Sequence, residues 1–489
     1  MRCLTLADAL NERGAEILFI CRELSGNLIN IIENKGYSVT RLQQPRAEYS
    51  AAPEDVLHAE WLGVSWQQDA ANSITALGKT QTQWLIVDHY ALDRRWEEFL
   101  RPHVGNIMVI DDLADRPHDC NILLDQNLYA DMETRYNTKI PAMCTKLLGP
   151  RYALLRPEFS LARRTLRERD GVVRKLLVFF GGSDESNETA KALEAIRLLD
   201  RPDVAVDVIV GLANPHREAI ESCCLKLQNV TYHCQVGNMA ELMAAADLAI
   251  GAGGATTWER CALGLPSLVM VTAANQQELA ETGARHGLFF YLGTTSSVSV
   301  ENLHNALEVF LGSSESLCAY SAKGLAVVDA KGMQRVAGLL LPPQISIRRA
   351  ETTDCDDIYA WRNAEETRRY IFGAEPIPLE MHRSWFCRTL ENPKRVLLIG
   401  EIDNAPVGVL RYDFTGHEAL ISVYLVPGGQ GQGVGTQLIR SGSLWIREHF
   451  PQIKILNAEI FPENVASVRA FEAAGYKQHH MIYKEVLNE

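Results

Sequence analysis

The chain has 489 residues, of which 47% are hydrophobic and 22% charged; this is an ordinary globular composition and too long for one core, so we expect about three domains. The formal net charge of −13 argues against a general nucleic-acid partner, and no apolar run approaches the ~20 residues that span a bilayer. The 11 cysteines are scattered without a Cys-x-x-Cys pair, which predicts reduced thiols in the cytoplasm and no metal site.

The first 160 residues alternate helical stretches with short apolar strands at 16–21, 84–88 and 106–111. Continuous apolar strands separated by helices are typical of a parallel sheet that is covered on both faces. Two of these strands end in Asp88 and Asp111, and ligands of such sheets bind at the carboxyl ends of the strands. We therefore predict an N-terminal Rossmann-like domain over 1–160.

A basic helix and linker lead into a second α/β pattern, which predicts another Rossmann-like domain over 172–340. Two such domains in tandem predict a cleft between them. Residues 341–344 (Leu-Pro-Pro-Gln) then mark a boundary. Beyond it, one strand, several helices and a run of strands predict a compact mixed α+β domain over 345–489.

A glycine-rich loop at 251–259 follows a predicted strand and opens a helix. Backbone N–H groups of Gly253 and Gly254, the hydroxyls of Thr256 and Thr257 and the helix dipole all favour a bound phosphate. Glu259, one turn further on, is suited to accept hydrogen bonds from a ribose diol. The alternative is a tight turn between strand and helix without a ligand.

This loop resembles the UDP-binding signature of glycosyltransferases with the two-domain GT-B fold. Six further stretches occur in the same order as in one family, at 87–90, 110–116, 123–127, 152–159, 179–184 and 274–276. Together they resemble the UDP-2,4-diacetamido-2,4,6-trideoxy-altropyranose hydrolases of the pseudaminic acid pathway, over about 1–340. The resemblance implies that water attacks the anomeric carbon, that UDP leaves and that the configuration inverts.

The same resemblance assigns residues to the substrate. It implies that Arg156 and Asn275 touch the UDP-activated amino sugar, that 253–259 holds the UDP, and that Asp88 and Asp111 line the sugar end of the cleft. The two aspartates are equally well explained as strand-end capping residues, and Asn275 as a turn former.

One departure from the family concerns the general base. The family's first strand runs into a Gly-x-Gly-His loop before a helix that matches residues 1–7 here, so the resemblance places the basic histidine ahead of Met1, and we expect the start of this domain upstream. His89 does not pair with Asp88, because neighbours on a strand point to opposite faces. His118 lies near Asp115 and Asp119, and we expect it to be solvated.

A second glycine loop follows the strand at 419–425 and opens a helix. It resembles the acetyl-CoA loop of the GNAT superfamily, whose backbone N–H groups bind the pyrophosphate. The resemblance assigns acetyl-CoA binding to Leu425, Val426, Gln430, Gly431, Gly433, Val434, Gly435, Asn464 and Ser467. The predicted fold class is therefore α/β, with two Rossmann-like domains (GT-B-like) followed by a GNAT α+β domain.

The start of this last domain resembles the amino-sugar branch of the superfamily, through Trp361-Arg362-Asn363 and His382-x-x-Trp385. The closest likeness is to enzymes that acetylate the 4-amino group of the UDP-altropyranose intermediate, the step before the hydrolysis. Trp361 and Trp385 either stack on the substrate or pack in the core.

In the expected reaction the free amine attacks the thioester, and backbone around Leu425 and Val426 orients the acetyl carbonyl. Many relatives use a tyrosine acid where this chain has Phe471, so Tyr483 or a water is the expected acid. Glu459 and Glu418 are candidate bases, or else surface carboxylates.

Three functions remain open from the sequence. The first is a bifunctional enzyme with both activities. The second is an acetyltransferase whose hydrolase-like part only binds UDP-sugar, and the third is a UDP-sugar-binding scaffold. Release of UDP and release of the CoA thiol separate them.

Overall fold

The computed structural model describes residues 1–45, 49–79, 81–370, 375–429 and 433–478. The chain divides into two compact units, Met1–Met333 and Gln334–Glu489. In the ranges described, none of the helices combines the length and the apolar character needed to cross a membrane. All 11 cysteines are free thiols.

The first half of Met1–Met333 alternates helices and strands. Its helices are α1 (Arg2–Asn11), α2 (Ile29–Asn34), α3 (Trp66–Leu77), α4 (Arg94–Leu100) and α5 (Pro157–Arg164). Its strands are β1 (Leu18–Arg22), β2 (Ser38–Leu42), β3 (Thr82–Val87), β4 (Val104–Ile110), β5 (Ile122–Asp125) and β6 (Thr145–Leu148). Short 3-10 helices lie at Ala59–Leu62, Arg101–His103 and Pro150–Tyr152.

All strand pairs in this half are parallel, in a four-stranded sheet β3-β4-β5-β6 and a separate pair β1-β2. The predicted parallel sheet is present, in two parts. Residues 107–110 of β4 are all at most 1% exposed, because helices cover both faces of a central parallel strand. Ser65 and Asp93 start α3 and α4 by accepting N–H groups of the first turn, as helix-capping side chains do.

The second half continues the alternation. Its strands are β7 (Lys175–Phe179), β8 (Ala205–Val210), β9 (Val230–Cys234), β10 (Leu248–Ala252), β11 (Ser267–Val271) and β12 (Phe290–Thr294). Its helices are α6 (Glu188–Leu199), α7 (Arg217–Cys224), α8 (Met239–Ala245), α9 (Thr256–Ala262), α10 (Gln277–Arg285), α11 (Val300–Leu311) and α12 (Ser314–Val327), with a 3-10 helix at Ala274–Gln276. Helix α13 (Gly332–Leu340) spans the boundary of the two units.

This half forms one six-stranded parallel sheet in the order β12-β11-β10-β7-β8-β9. The order reverses between β7 and β10, and the crevice outside the carboxyl ends of the strands at such a switch point is where doubly wound sheets bind ligands. A Cβ on Gly251 would lie 2.4 Å from the Phe179 carbonyl oxygen, so the close approach of β7 and β10 requires glycine there.

Gln334–Glu489 contains a five-stranded sheet in the order β13-β14-β15-β16-β17. The strands are β13 (Ser346–Arg349), β14 (Arg395–Ile402), β15 (Ala405–Thr415), β16 (Glu418–Leu425) and β17 (Ile455–Ala458). The helices are α14 (Cys355–Asn363), α15 (Glu365–Arg368), α16 (Leu379–Glu391), α17 (Val434–His449) and α18 (Val465–Ala473), with a 3-10 helix at Thr352–Asp354.

Neighbouring strands of this sheet are antiparallel except β16 and β17, which are parallel. Leu438 of α17 belongs to the apolar cluster on one face, and Phe386 of α16 to the cluster on the other. The predicted fold class, two Rossmann-like regions followed by a mixed α+β domain, is confirmed by these topologies. The finer domain bounds 1–160, 172–340 and 345–489 stay predictions.

Candidate functional site

A cleft of about 860 Å³ lies within Met1–Met333 and is lined by residues from both of its halves. This size suits a small-molecule site of about 300–1,000 Å³. Of the predicted substrate contacts, the cleft is lined by Asp88, Arg156, Gly253, Gly254, Thr256, Glu259 and Asn275.

The glycine loop between β10 and α9 presents free backbone donors to the cleft. The N–H of Gly253 is already used, because it donates to the Met270 carbonyl at 3.0 Å. Across the described chain, no acceptor is found for the N–H groups of Gly254, Ala255 and Thr256, and all three residues line the cleft. These three are therefore the donors open to an anion. Helix α9 has only seven residues, so its dipole contributes less than the sequence pattern suggested.

A buried arginine, which the sequence reading missed, lies behind this loop. Arg260 is 2% exposed and donates to the Ala252 carbonyl at 2.9 Å and to the hydroxyls of Thr256 and Thr257 at 3.2 Å each. Thr257 is itself 1% exposed and does not line the cleft. The prediction that Thr257 touches the ligand is therefore corrected: its hydroxyl holds Arg260.

Glu259 and Arg156 form one polar wall of the cleft, with 3.4 Å between Arg156 Nη2 and Glu259 Oε1. Burial raises the pKa of the Glu259 carboxyl, although the nearby Arg156 guanidinium partly offsets this. The neighbouring Trp258 is fully buried, and its indole N–H donates to Asn127 Oδ1 of the first half at 3.0 Å. Helix α9 therefore contacts both halves and the cleft at once.

Asp88 and Asp112 lie on the other wall. Asp88 accepts from Arg2 at 2.6 Å and from the Cys3 thiol at 3.2 Å, while Asp112 accepts from the Tyr90 hydroxyl at 2.6 Å. Burial would raise the pKa of Asp88, but the hydrogen bonds and charge of Arg2 outweigh it and hold that pKa below its usual value. Asp88 is therefore ionised and engaged at neutral pH.

His89 also lines the cleft, and its ring is fixed by the backbone. Its Nδ1 accepts the Ala91 N–H at 3.1 Å, so the neutral ring carries its proton on Nε2. Burial lowers the pKa of His89, which keeps the ring neutral at pH 7. In this state the Nε2–H of His89 is a donor only, and the ring has no free lone pair to act as a base.

Two residues that the sequence placed at the cleft or in solvent are buried instead. Asp111 is 0% exposed and lies 2.9 Å from Arg116 and 3.0 Å from the Tyr136 hydroxyl; its neighbour Asp112 lines the cleft in its place. The expectation that His118 is solvated is wrong, since it is fully buried with Nδ1 2.7 Å from Glu97 Oε1. Asp111 is therefore held by Arg116 and Tyr136 just after β4, and His118 ties the chain before β5 to Glu97 of α4.

In Gln334–Glu489, the predicted acetyl-CoA site lies where two strands part. β17 pairs with β16 only from Ile455↔Glu418 to Ala458↔Ile421. Val426 donates to the Val407 carbonyl at 3.0 Å and is used within the sheet. Because hydrogen-bonding direction alternates along a strand, the N–H of Leu425 points away from β15, to the side that β17 has left. Of the two predicted residues, only Leu425 offers its N–H to an acetyl carbonyl.

The remaining predicted cofactor contacts belong to the segments that follow β16 and β17 in the chain. Gly433 has a positive φ of 75° and precedes Val434 and Gly435 at the start of α17, while Gln430 and Gly431 lie outside the described residues. Asn464 begins α18 and accepts the Ser467 N–H at 3.1 Å, which is a helix-capping role.

Of the two predicted catalytic residues of this unit, Glu459 is exposed and follows directly after β17, where the two strands separate. Tyr483 lies outside the described residues. Glu418 begins β16 at the paired end, where it accepts from Asn457 at 2.8 Å, so it is the less suitable base.

The Trp-Arg-Asn motif lies on the face of the sheet opposite α17. Trp361 and Trp385 pack against the apolar cluster there, which favours a core role for both. Asn363 exchanges two hydrogen bonds of 2.9 Å with the backbone of Ile377 and so fixes that loop. Burial lowers the pKa of Arg362, and Arg411 is a further charge near it; Arg411 itself donates to Ser422 at 3.2 Å.

Two family models match the chain. The glycosyltransferase family 28 C-terminal domain matches residues 176–332, and the acetyltransferase (GNAT) domain matches residues 344–477.

Two curated relatives are similar to part of the chain. The spore coat polysaccharide biosynthesis protein SpsG of Bacillus subtilis is 32% identical over 220 residues, covering 44% of this chain and 62% of its own, which is less than two thirds. The UDP-2,4-diacetamido-2,4,6-trideoxy-beta-L-altropyranose hydrolase of Campylobacter jejuni is 23% identical over 234 residues, covering 48% of this chain and 73% of its own.

Among solved structures, MurG of Acinetobacter baumannii aligns at 13% identity and a TM-score of 0.49, covering 69% of this chain and 94% of its own. The two resemblances drawn from the motifs are confirmed by the family models and the hydrolase relative. The chain carries a sugar-nucleotide hydrolase-like part, in which residues 176–332 match the glycosyltransferase family 28 C-terminal domain, followed by a GNAT acetyltransferase domain.

Proposed function

We propose that the chain is a bifunctional cytoplasmic enzyme of pseudaminic acid biosynthesis that acts on a UDP-activated amino sugar. Gln334–Glu489 transfers the acetyl group of acetyl-CoA to the amino group of a UDP-4-amino sugar. Met1–Met333 then hydrolyses the glycosyl-UDP bond of the UDP-diacetamido sugar with inversion. The observation that carries the proposal is the cleft. Three free loop N–H groups and Glu259 lie on one side of it, and aromatic and acidic side chains lie on the other.

The loop wall suits the UDP moiety. The N–H groups of Gly254, Ala255 and Thr256 donate to the diphosphate, for which oriented backbone donors are well adapted. The Glu259 carboxylate accepts the ribose hydroxyls, and Arg156 next to it supplies a positive charge. Asn275 is exposed at the cleft, and its side-chain amide can donate or accept a hydrogen bond with the UDP-sugar.

The opposite wall suits a sugar with apolar substituents. Trp61 is 57% exposed and lines the cleft, with ring centroids 4.5 Å from His58 and 6.1 Å from Tyr90. Aromatic faces bind apolar surface while their edges stay polar, so Trp61 stacks on the methyl-bearing face of the ring. Asp88, Asp112 and the His89 Nε2–H then bond to its polar groups.

In the acetyl transfer, the amine nitrogen attacks the thioester carbonyl carbon and the Leu425 N–H stabilises the developing oxyanion. The C–S bond breaks, the sulfur leaves as thiolate and takes up a proton, and the proton lost by the amine goes to Glu459 or to solvent. Arg362 and Arg411, the latter paired with Asp413 at 2.9 Å, supply guanidinium groups that suit an acceptor carrying a diphosphate.

A second function, acetylation with UDP-sugar binding but without hydrolysis, is favoured by one observation. Asp88 is held by Arg2 and Cys3, and the His89 Nδ1 is held by Ala91. The contact with Arg2 holds the pKa of Asp88 below its usual value, so its carboxylate is a weak base, and the neutral His89 ring has no free lone pair to take a proton from water.

Two assays on the full chain test the proposal. Thiol release is measured with acetyl-CoA and the UDP-4-amino sugar, and UDP release with the UDP-diacetamido sugar. We expect both, with Glu259→Ala lowering only UDP release at limiting UDP-sugar and Gly435→Asp, which puts a carboxylate at the pyrophosphate loop, abolishing only thiol release. Each variant is the control for the other. Thiol release without UDP release supports the second function, and absence of both overturns the proposal.

A further inference from the structure

Arg260 is a buried cation that no described carboxylate neutralises through an ion pair. It is 2% exposed, and its hydrogen-bond acceptors are one backbone carbonyl and two threonine hydroxyls, all of them neutral. Its Nε is also buried without an acceptor among the described residues. Burial lowers the pKa of Arg260 to about 10, so the group stays charged at neutral pH. A buried charge without an ion-pair partner destabilises a fold, which points to a use outside folding.

The chemistry of the guanidinium sets the direction of these hydrogen bonds. Arginine has five N–H donors and no acceptor. Thr256 Oγ1 and Thr257 Oγ1 must therefore accept from it, and the single proton of each hydroxyl is left to be donated elsewhere. The two threonines differ in where that proton can go, because Thr257 is 1% exposed while Thr256 is half-buried and lines the cleft.

We propose that Arg260 is a positioning residue that turns the Thr256 hydroxyl into a dedicated donor to a diphosphate oxygen of a nucleoside diphosphate, and that places a fixed positive charge beneath the glycine loop. The inference rests on the proposed function, since it takes the UDP moiety as occupant of the cleft. It adds a side-chain donor and a charge to the three backbone N–H groups of Gly254, Ala255 and Thr256. A hydroxyl polarised by a cation donates more strongly than a free one, because hydrogen bonds in a chain reinforce each other.

A purely structural role makes a different prediction. If Arg260 only ties the loop to Ala252, its loss disturbs the binding of any ligand that touches the loop, charged or not. If it acts through Thr256 on a diphosphate, its loss affects ligands with phosphates and leaves the nucleoside alone. UDP and uridine separate the two cases because they share the base and the ribose.

The test is calorimetric titration of the full chain with UDP and with uridine. For Arg260→Met we expect UDP affinity to fall about 10- to 100-fold, the usual range for a hydrogen bond to a charged group, and uridine affinity to change less than about 2-fold. Arg260→Lys keeps the charge and restores part of the UDP affinity. In a Thr256→Val background, Arg260→Met has a smaller effect than in the wild type, because the relay is already broken and only the fixed charge is lost.

Three results overturn the inference. They are equal losses for UDP and uridine, independent effects of the two substitutions, and UDP affinity retained in Thr256→Val. Where Arg260→Met does not fold, the pair Thr256→Val and Thr256→Ser decides, because only serine keeps the donor. A wild-type chain that does not bind UDP refutes the proposed function itself, whereas UDP binding that is insensitive to Arg260 and Thr256 refutes only this inference.

Discussion

Replacing Trp61 with alanine is expected to weaken binding of the sugar moiety and to leave binding of the nucleotide unchanged. An indole side chain carries about 200 Å² of surface, so 57% exposure leaves about 110 Å² open to the cleft and solvent. A sugar ring that covers half of that removes about 55 Å² from water, which is ~1.4 kcal/mol at ~25 cal/mol per Å² and corresponds to about a tenfold change in affinity.

The assay compares dissociation constants of UDP and of the UDP-diacetamido sugar for wild type and Trp61→Ala. We expect the UDP-sugar constant to rise about tenfold and the UDP constant to stay unchanged. Leu57→Ala is a matched control, because Leu57 lies four residues away, is 83% exposed and does not line the cleft. Equal weakening of both ligands, or no weakening of the UDP-sugar, would refute the stacking role.

Three further outcomes follow from groups described above. Glu259→Gln lowers UDP affinity about tenfold, and wild-type affinity falls as the pH drops through the raised pKa of Glu259; a pH profile identical in both proteins contradicts this. Gly251→Ala lowers the free energy of unfolding by about 1–3 kcal/mol, measured in urea, because its Cβ would lie 2.4 Å from the Phe179 carbonyl; Gly237→Ala, which meets nothing within 4 Å, is the control and should unfold like wild type. Burial raises the pKa of Asp125 to about 7, so between about pH 4 and 7 the folded state binds a proton that the unfolded state releases. The free energy of unfolding therefore falls by up to about 1.4 kcal/mol per pH unit as the pH rises through this range. Asp125→Asn is expected to remove this slope, and a slope unchanged in the variant would refute the assignment.

Much of the fold was predictable because it depends on local pattern. The apolar run at 106–111 requires burial on both faces, and the structure makes it a central parallel strand. The glycine loop at 251–259 was predictable from its run of glycines. The structure adds that Gly251 is needed because a Cβ there would contact the backbone of the neighbouring strand. The order of strands on either side of β7, which creates the switch point, depends on long-range pairing and has no signal in a single sequence.

The sequence predicted the types of side chain that line the site, but it did not always predict the correct position in the chain. Asp111 and Asp112 are adjacent carboxylates after one strand, and only the direction of the turn decides which of them faces the cleft. His118 has acidic neighbours in sequence, yet its partner is Glu97, 21 positions earlier. Arg260 is four residues after Thr256, a helical spacing visible in the sequence, but its burial depends on packing that the spacing does not reveal.

Helix α9 combines contacts to the first half of the unit, to the cleft and to the glycine loop. Trp258 donates to Asn127 of the first half, while Thr256 and Glu259 line the cleft and Arg260 lies beneath the loop. A substitution that retunes the ligand here also disturbs the connection between the two halves of the unit. Selection for a different sugar is therefore expected to change the wall around Trp61, which is exposed and tolerant, and to leave α9 as the part of the unit least free to vary.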